Sequence, residues 1–117
     1  MGTVGSVGFA SREVVVKYVL RYAMAPGVDG TRIRDLFPAH RSHWAEFRSD
    51  GTLLAIGPME DPDEGALAVF TTRAAAERFA ESDPFVTNGV VGSWDVSGWR
   101  EAILEPLPDG PPVDRRS

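Results

Sequence analysis

Cysteine is missing from this chain of 117 residues, and histidine occurs only twice. The first absence excludes disulfides, thiolate metal sites and a cysteine nucleophile together. It also fits a reducing cytoplasm, which is the expected location. Clustered basic charge is missing too. The formal net charge is −5, and no Lys/Arg group falls on one face of an expected helix. Nucleic-acid binding leans on phosphate neutralisation, so no nucleic-acid partner is expected. Long apolar runs are lacking: Val14 to Met24 is interrupted by Lys17 and Arg21 and is far shorter than the about 20 residues of a membrane span. Residues Met1 to Ala10 lack the basic start and apolar stretch of a secretory signal. The glycines form no phosphate-binding loop, and no serine sits in a nucleophile elbow. A lone inward His40 with scattered carboxylates lacks the spacing of a metal triad, so neither metal nor cofactor is expected.

What remains is an ordinary globular composition, 43% apolar and 25% charged, at a length suited to one domain. Residues 1–12, rich in Gly, Ser and Thr, read as an unstructured lead. Residues 106–117, carrying Pro106, Pro108, Pro111 and Pro112, read as a disordered tail. The expected domain is therefore 13–105.

Within it, Val14 to Met24 alternates with period two. Val14, Val16, Tyr18, Leu20, Tyr22 and Met24 lie on one face; Val15, Lys17, Val19, Arg21 and Ala23 lie on the other, predicting a strand. Pro26 to Gly30 is a turn. Ile33, Leu36, Phe37, His40, Trp44 and Phe47 then recur at spacings of three and four, predicting a helical segment between Thr31 and Ser49. Pro38 interrupts it, so regular helix is expected to begin there, with Pro38 in the first turn. Thr52–Gly57 and Gly65–Thr71 read as two antiparallel strands joined by the acidic connection Pro58–Glu64. Thr72 caps a second helix that buries Ala75, Ala76, Phe79 and Ala80 and stops at Asp83-Pro84, because a residue before proline is pushed out of helical geometry. A last strand covers Val90–Trp99. The order β-α-β-β-α-β is that of a ferredoxin-like α+β fold. Two helices on one sheet face leave the other bare, which predicts a homodimer covering it.

His40 lies at the centre of the apolar stripe and points inward, while His43 sits about 70° off it by helical geometry and is expected at the surface. Imidazole titrates near neutral pH, which suits an inward histidine to general acid–base work; the alternative is a hydrogen-bonded core residue. Asp83 ends the second helix, where a carboxylate meets the unfavourable end of the macrodipole. Solvent, a cation or a proton-sharing partner such as His40 would offset this, and a plain Asp-Pro turn is the other reading. Arg21, with Lys17, lies on the more polar face of the first strand, either pointing between protomers to hold an anionic or phenolic group or at the sheet rim. The expected substrate-binding set is Arg21, Trp44, Phe85 and Trp94.

The segments Pro38-Ala39-His40, Gly51-x-Leu53-Leu54-x-x-Gly57-Pro58, Asp83-Pro84-Phe85 and Gly89-Val90, with the closing Trp99, resemble the YCII-related family over roughly residues 16–100. The resemblance implies a dimeric α+β barrel of ferredoxin-like protomers with a small-molecule ligand in its cavity. It also implies a catalytic dyad that falls on His40 and Asp83. The loop Met59–Glu64 is short and acidic, a departure from the family, and the N-terminal lead has no family counterpart. The function expected is a cofactor-independent lyase or isomerase moving protons on a small hydroxylated aromatic or lactone-like substrate. The alternatives are a non-catalytic small-molecule-binding or accessory protein, and an interaction module using Glu60 to Glu64.

Overall fold

The computed structural model describes residues 14–104, so the expected lead and tail lie outside the described residues. By internal contacts Val16–Arg100 forms one compact unit, and the site described below lies wholly within it.

Strand β1 (Val14–Met24) buries Leu20 and Tyr22 while the intervening Arg21 is exposed, as the alternation predicts. Helix α1 runs over Gly30–Ser49. The Asp29 side chain opens it by accepting the Thr31 N–H at 2.9 Å, an N-cap that satisfies one of the orphan donors of the first turn. The helix passes straight through Pro38, so the expectation of a start at Pro38 is corrected. An interior proline costs about 3 kcal/mol through its missing N–H and ring clash. Here the preceding turns carry Ile33 and Phe37, which line an interior cavity together with residues beyond the proline. Cavity packing by Ile33 and Phe37 before Pro38 and by the buried His40 after it, with the cap at Asp29, keeps the two halves in one helix.

Gly51, at φ +85°, takes the chain out of α1 in a left-handed conformation that side chains disfavour. Strand β2 (Leu53–Pro58) pairs with β3 (Ala66–Phe70), with an irregularity between Leu53 and Ala55. That bulge re-aims the strand, so that Leu53 is buried and Ile56 also packs on the core. The acidic connection contains a 3-10 turn at Pro62–Glu64, opened by the Asp61 side chain accepting the Asp63 N–H at 3.0 Å. Gly65 follows at φ +105°, and a Cβ there would stand 2.0 Å from the Tyr22 carbonyl oxygen. Only glycine lets β3 begin against β1 at this point.

Thr72 caps α2 (Arg73–Ser82) through the Ala75 N–H at 3.1 Å, as expected. The buried face is Ala75, Ala76, Phe79 and Ala80. A short helix not anticipated from the sequence, α3 (Pro84–Thr87), starts immediately after Asp83. Strand β4 covers Val91–Ala102. The sheet order is β2-β3-β1-β4, with β3 antiparallel to both neighbours it shares with β2 and β1. This is the ferredoxin-like α+β arrangement, a four-stranded antiparallel sheet with helices. Phe70 from β3, Phe79 from α2 and Phe47 from α1 meet with ring centroids 5.2 to 6.2 Å apart, joining sheet and helices in one core.

Candidate functional site

Two chain segments far apart in sequence meet under the helices. His40, in the middle of α1, is 8% exposed, and Asp83, between α2 and α3, is fully buried. The His40 Nδ1–H donates to Asp83 Oδ1 at 2.8 Å. The Phe85 backbone N–H donates to the same oxygen at 3.0 Å, and the Tyr22 hydroxyl donates to Oδ2 at 2.6 Å. A buried carboxylate needs such donors, because a charge without partners is costly in the interior. Burial, with the adjacent Asp83, pushes the Tyr22 hydroxyl far above its ordinary pKa. Tyr22 therefore keeps its proton and remains a donor.

The macrodipole expectation for Asp83 is corrected by this geometry. Asp83 does end α2, but it is also the N-cap of α3. Its carboxylate thus receives a free backbone N–H at a helix start, the end that favours negative charge. The proline at position 84 both stops one helix and occupies the first position of the next, where its missing N–H costs nothing.

Fixing Nδ1 as the donor leaves Nε2 of neutral His40 with its lone pair. Among the described residues no side chain or backbone group bonds that nitrogen. The ring is clamped by aromatic neighbours. Phe85 stacks on it at 4.1 Å with planes 13° apart, and Phe37 and Phe79 stand at 6.0 and 6.3 Å. His40, Phe85 and Trp44 all line a cavity of about 340 Å³ between the helices and the sheet. Its other walls include Leu20, Tyr22, Met24, Ile33, Ile56 and Ala68.

The other expected site residues are placed elsewhere. Arg21 alternates with the inward Leu20 and Tyr22 and so lies on the far face of the sheet. There its Nε pairs with Asp95 at 3.2 Å, both side chains 59% exposed. Lys17 shares that side of the strand by the same alternation. Trp94 packs against the edge of the core and is not among the cavity-lining residues. The cavity thus belongs to the helix side of a single chain, not to a space that Arg21 enters. His43 is not a surface residue either. It is partly buried, its Nε2–H donates to the Phe79 carbonyl at 2.9 Å, and its ring rests 4.6 Å from Phe79 and 5.1 Å from Phe47. Among the described residues no group of three or more His, Asp or Glu side chains is placed to hold a metal ion.

Tyr22 is the site residue that sequence reasoning missed. Its alternation with Leu20 put the ring on the inward face, but nothing local told which acceptor its hydroxyl would find 61 residues away.

In this arrangement His40 can take up a proton at Nε2 while Asp83 holds the resulting imidazolium. Comparison with known proteins places the fold. Among solved structures, the chain resembles the 5-chloro-2-hydroxyhydroquinone dehydrochlorinase of Burkholderia phenoliruptrix AC1100, solved in complex with 2,5-dihydroxybenzoquinone. The two are 18% identical, with a TM-score of 0.58, over 71% of this chain and 92% of that one. A protein of Shewanella oneidensis is 16% identical over 79% of this chain and 94% of its own, with a TM-score of 0.47. An antibiotic biosynthesis monooxygenase is 14% identical over 80% and 100%, with a TM-score of 0.43. No curated protein sequence matches the chain. The model of the YCII-related domain matches residues 16–100, a span that holds the whole sheet-and-helix unit with His40 and Asp83, and the chain belongs to the YCII-related family.

Proposed function

We propose that this protein is a cofactor-independent lyase or isomerase in which His40 and Asp83 act as a proton-transfer dyad on a small hydroxylated ring. The observation that carries the reading is the 2.8 Å contact between His40 Nδ1 and a fully buried Asp83, with the second ring nitrogen unpartnered beside an apolar cavity. A buried carboxylate that holds one tautomer and stabilises the imidazolium is what general-base histidines require.

In the proposed step, Nε2 removes a proton from a phenolic oxygen or from carbon next to a carbonyl. The electron pair moves into the ring system. It then takes the proton back from imidazolium at a ring carbon, which is isomerisation and returns His40 to its neutral form. Where that carbon bears chloride, loss of a second hydroxyl proton to His40 then drives the chloride out, which is elimination, and the proton is released to water with the chloride. Because Arg21 lies across the sheet, the imidazolium itself is the positive charge that faces the developing oxyanion. A ring of the kind bound by the dehydrochlorinase of the same fold is of a size this cavity admits.

The same reading includes a homodimer in the cytoplasm. Its support is the far face of the sheet, where the register sets Val19 beside Val69 and Arg21 beside Leu67, the leucine 39% exposed. Sedimentation of the full chain tests this: a monomer at micromolar concentration defeats the dimer, and Leu67→Lys is expected to weaken it.

For the chemistry, chlorinated hydroquinols and hydroxylated lactones are offered to the purified protein, with chloride release and solvent deuterium incorporation followed by NMR. Turnover is expected to fall at least a hundredfold in His40→Ala. Undiminished turnover in that variant on a confirmed substrate would end the dyad reading.

A further inference from the structure

The cavity's walls carry information beyond the presence of a base. Among the described residues, no Lys, Arg, Asp or Glu lines it, and its titratable side chains are His40 and Tyr22. Tyr22 already spends its proton on Asp83. The polar side-chain atoms left for a ligand are Nε2 of a histidine more than nine-tenths buried and the indole N–H of Trp44, a neutral donor. The other lining side chains are hydrocarbon or aromatic, Phe37 and Phe85 among them. At about 340 Å³ the space is at the small end of ligand sites. An apolar cavity of about 150 Å³ already accepts benzene, so one substituted ring, or two small ones, would fill this one.

We infer that this site selects uncharged, planar ring compounds bearing a hydroxyl, and rejects rings that carry a carboxylate or another fixed negative charge. The inference rests on the acid–base reading above and narrows its substrate class, removing the acidic lactones from it. The physical reason is desolvation. A carboxylate entering this cavity gives up its water and meets no Lys or Arg among the described lining residues; the Arg21 guanidinium is held by Asp95 beyond the sheet. It also approaches the buried Asp83 carboxylate, a like charge separated from the cavity by one imidazole ring. A neutral hydroxyl has no such penalty. It donates to Nε2, and its ring lies against aromatic faces. Charge appears on the guest only after proton transfer, when an imidazolium has formed beside it.

The test compares two probes that differ in one charge, methyl 2,5-dihydroxybenzoate and 2,5-dihydroxybenzoate, titrated at pH 7 into the full-length protein. Binding is read from the His40 ring resonances by NMR and from calorimetry. The ester is expected to bind at least tenfold tighter than the carboxylate. Phe37→Arg places a cation at a wall position that is 45% exposed, and is expected to shrink the preference to threefold or less. The wild-type comparison decides the matter even if that variant does not fold. Equal or tighter binding of the carboxylate overturns the inference, as does failure of both probes to move the His40 signals at millimolar concentration. Binding preference is measured without turnover, so its outcome is separate from the loss or survival of activity in His40→Ala, which decides the reaction itself.

Discussion

The turn of α1 that carries His40 and the next turn, which carries His43, present the same side chain to the same helix. Both rings stand near Phe79. They differ in what their nitrogens meet. At His43 a single backbone carbonyl takes the Nε2 proton and ties the ring into the helix packing. At His40 a carboxylate takes the Nδ1 proton and the other nitrogen is left beside a cavity. A neutral carbonyl partner ties His43 into the packing; under the proposed function, the buried charged partner of His40 compensates its protonated form and suits it to act as a base. One turn of helix separates the two outcomes, so residue type and inward direction alone do not assign the role.

The sharpest way to break this comparison is to remove each imidazole in turn. His40→Ala is expected to lower turnover by about 10²–10⁴, the usual contribution of a positioned acid–base group. His43→Ala is expected to leave turnover within about threefold while costing about 1–3 kcal/mol of stability, from a lost hydrogen bond and ring packing. Chemical denaturation with parallel assays checks both, and equal losses of activity would erase the distinction.

Next in size is Asp83→Asn, which separates charge from tautomer. The Phe85 N–H requires an oxygen at the Oδ1 position, so the amide of the variant turns its NH2 toward Tyr22, whose hydroxyl then accepts. His40 keeps an acceptor at Nδ1 and hence its tautomer, but loses the negative charge that holds imidazolium. A drop in turnover of about tenfold to a thousandfold is expected, smaller than cases in which the tautomer also inverts. Nitrogen-15 NMR of the ring shows whether Nδ1 is still the protonated site.

A smaller effect isolates Tyr22. Its hydroxyl is held protonated far above the ordinary value of 10.0. Above about pH 10 the unfolded chain releases this proton while the folded chain retains it, so stability declines as pH rises. Tyr22→Phe is expected to remove up to about 1.4 kcal/mol per pH unit from that alkaline slope. Near neutral pH it costs about 1.5–3 kcal/mol, because a buried carboxylate oxygen loses its donor. Urea denaturation at pH 8 and pH 11 measures both.

The smallest effect belongs to Asp50, the exposed counterpart of Asp83 at the end of α1. Its carboxyl sits below the ordinary value because it accepts from the Thr52 hydroxyl at 2.6 Å and the Thr52 N–H at 2.9 Å. A lowered folded pKa gives stability that is present above about 3.8 and lost as pH falls further. Asp50→Ala is expected to flatten that acid limb slightly and leave activity unchanged, since water surrounds the group.

Much of this was legible in the chain itself, because the relevant physics is local. Period-two alternation put Leu20 and Tyr22 inward on β1, the three–four stripe put His40 inward on α1, and the Thr72 cap and Asp83-Pro84 stop bounded α2. Each depends only on neighbours within a turn or a strand. Pro38 misled that local logic, since the penalty of an interior proline is local while the cavity packing that outweighs it is not.

Only the tertiary structure decided what these directions meant together. Asp83 lies 43 residues from His40 and 61 from Tyr22, and no spacing rule encodes a meeting across sheet and helices. The same sheet that brings Tyr22 to the carboxylate puts Arg21, its immediate neighbour, on the opposite side, because successive side chains of a strand point to opposite faces. The sequence by itself determined that Leu20, Tyr22, His40 and the Ala75–Ala80 face point inward, though not that His43 does. The packing of α1, α3 and β1 around one buried carboxylate determined which of them could become a site.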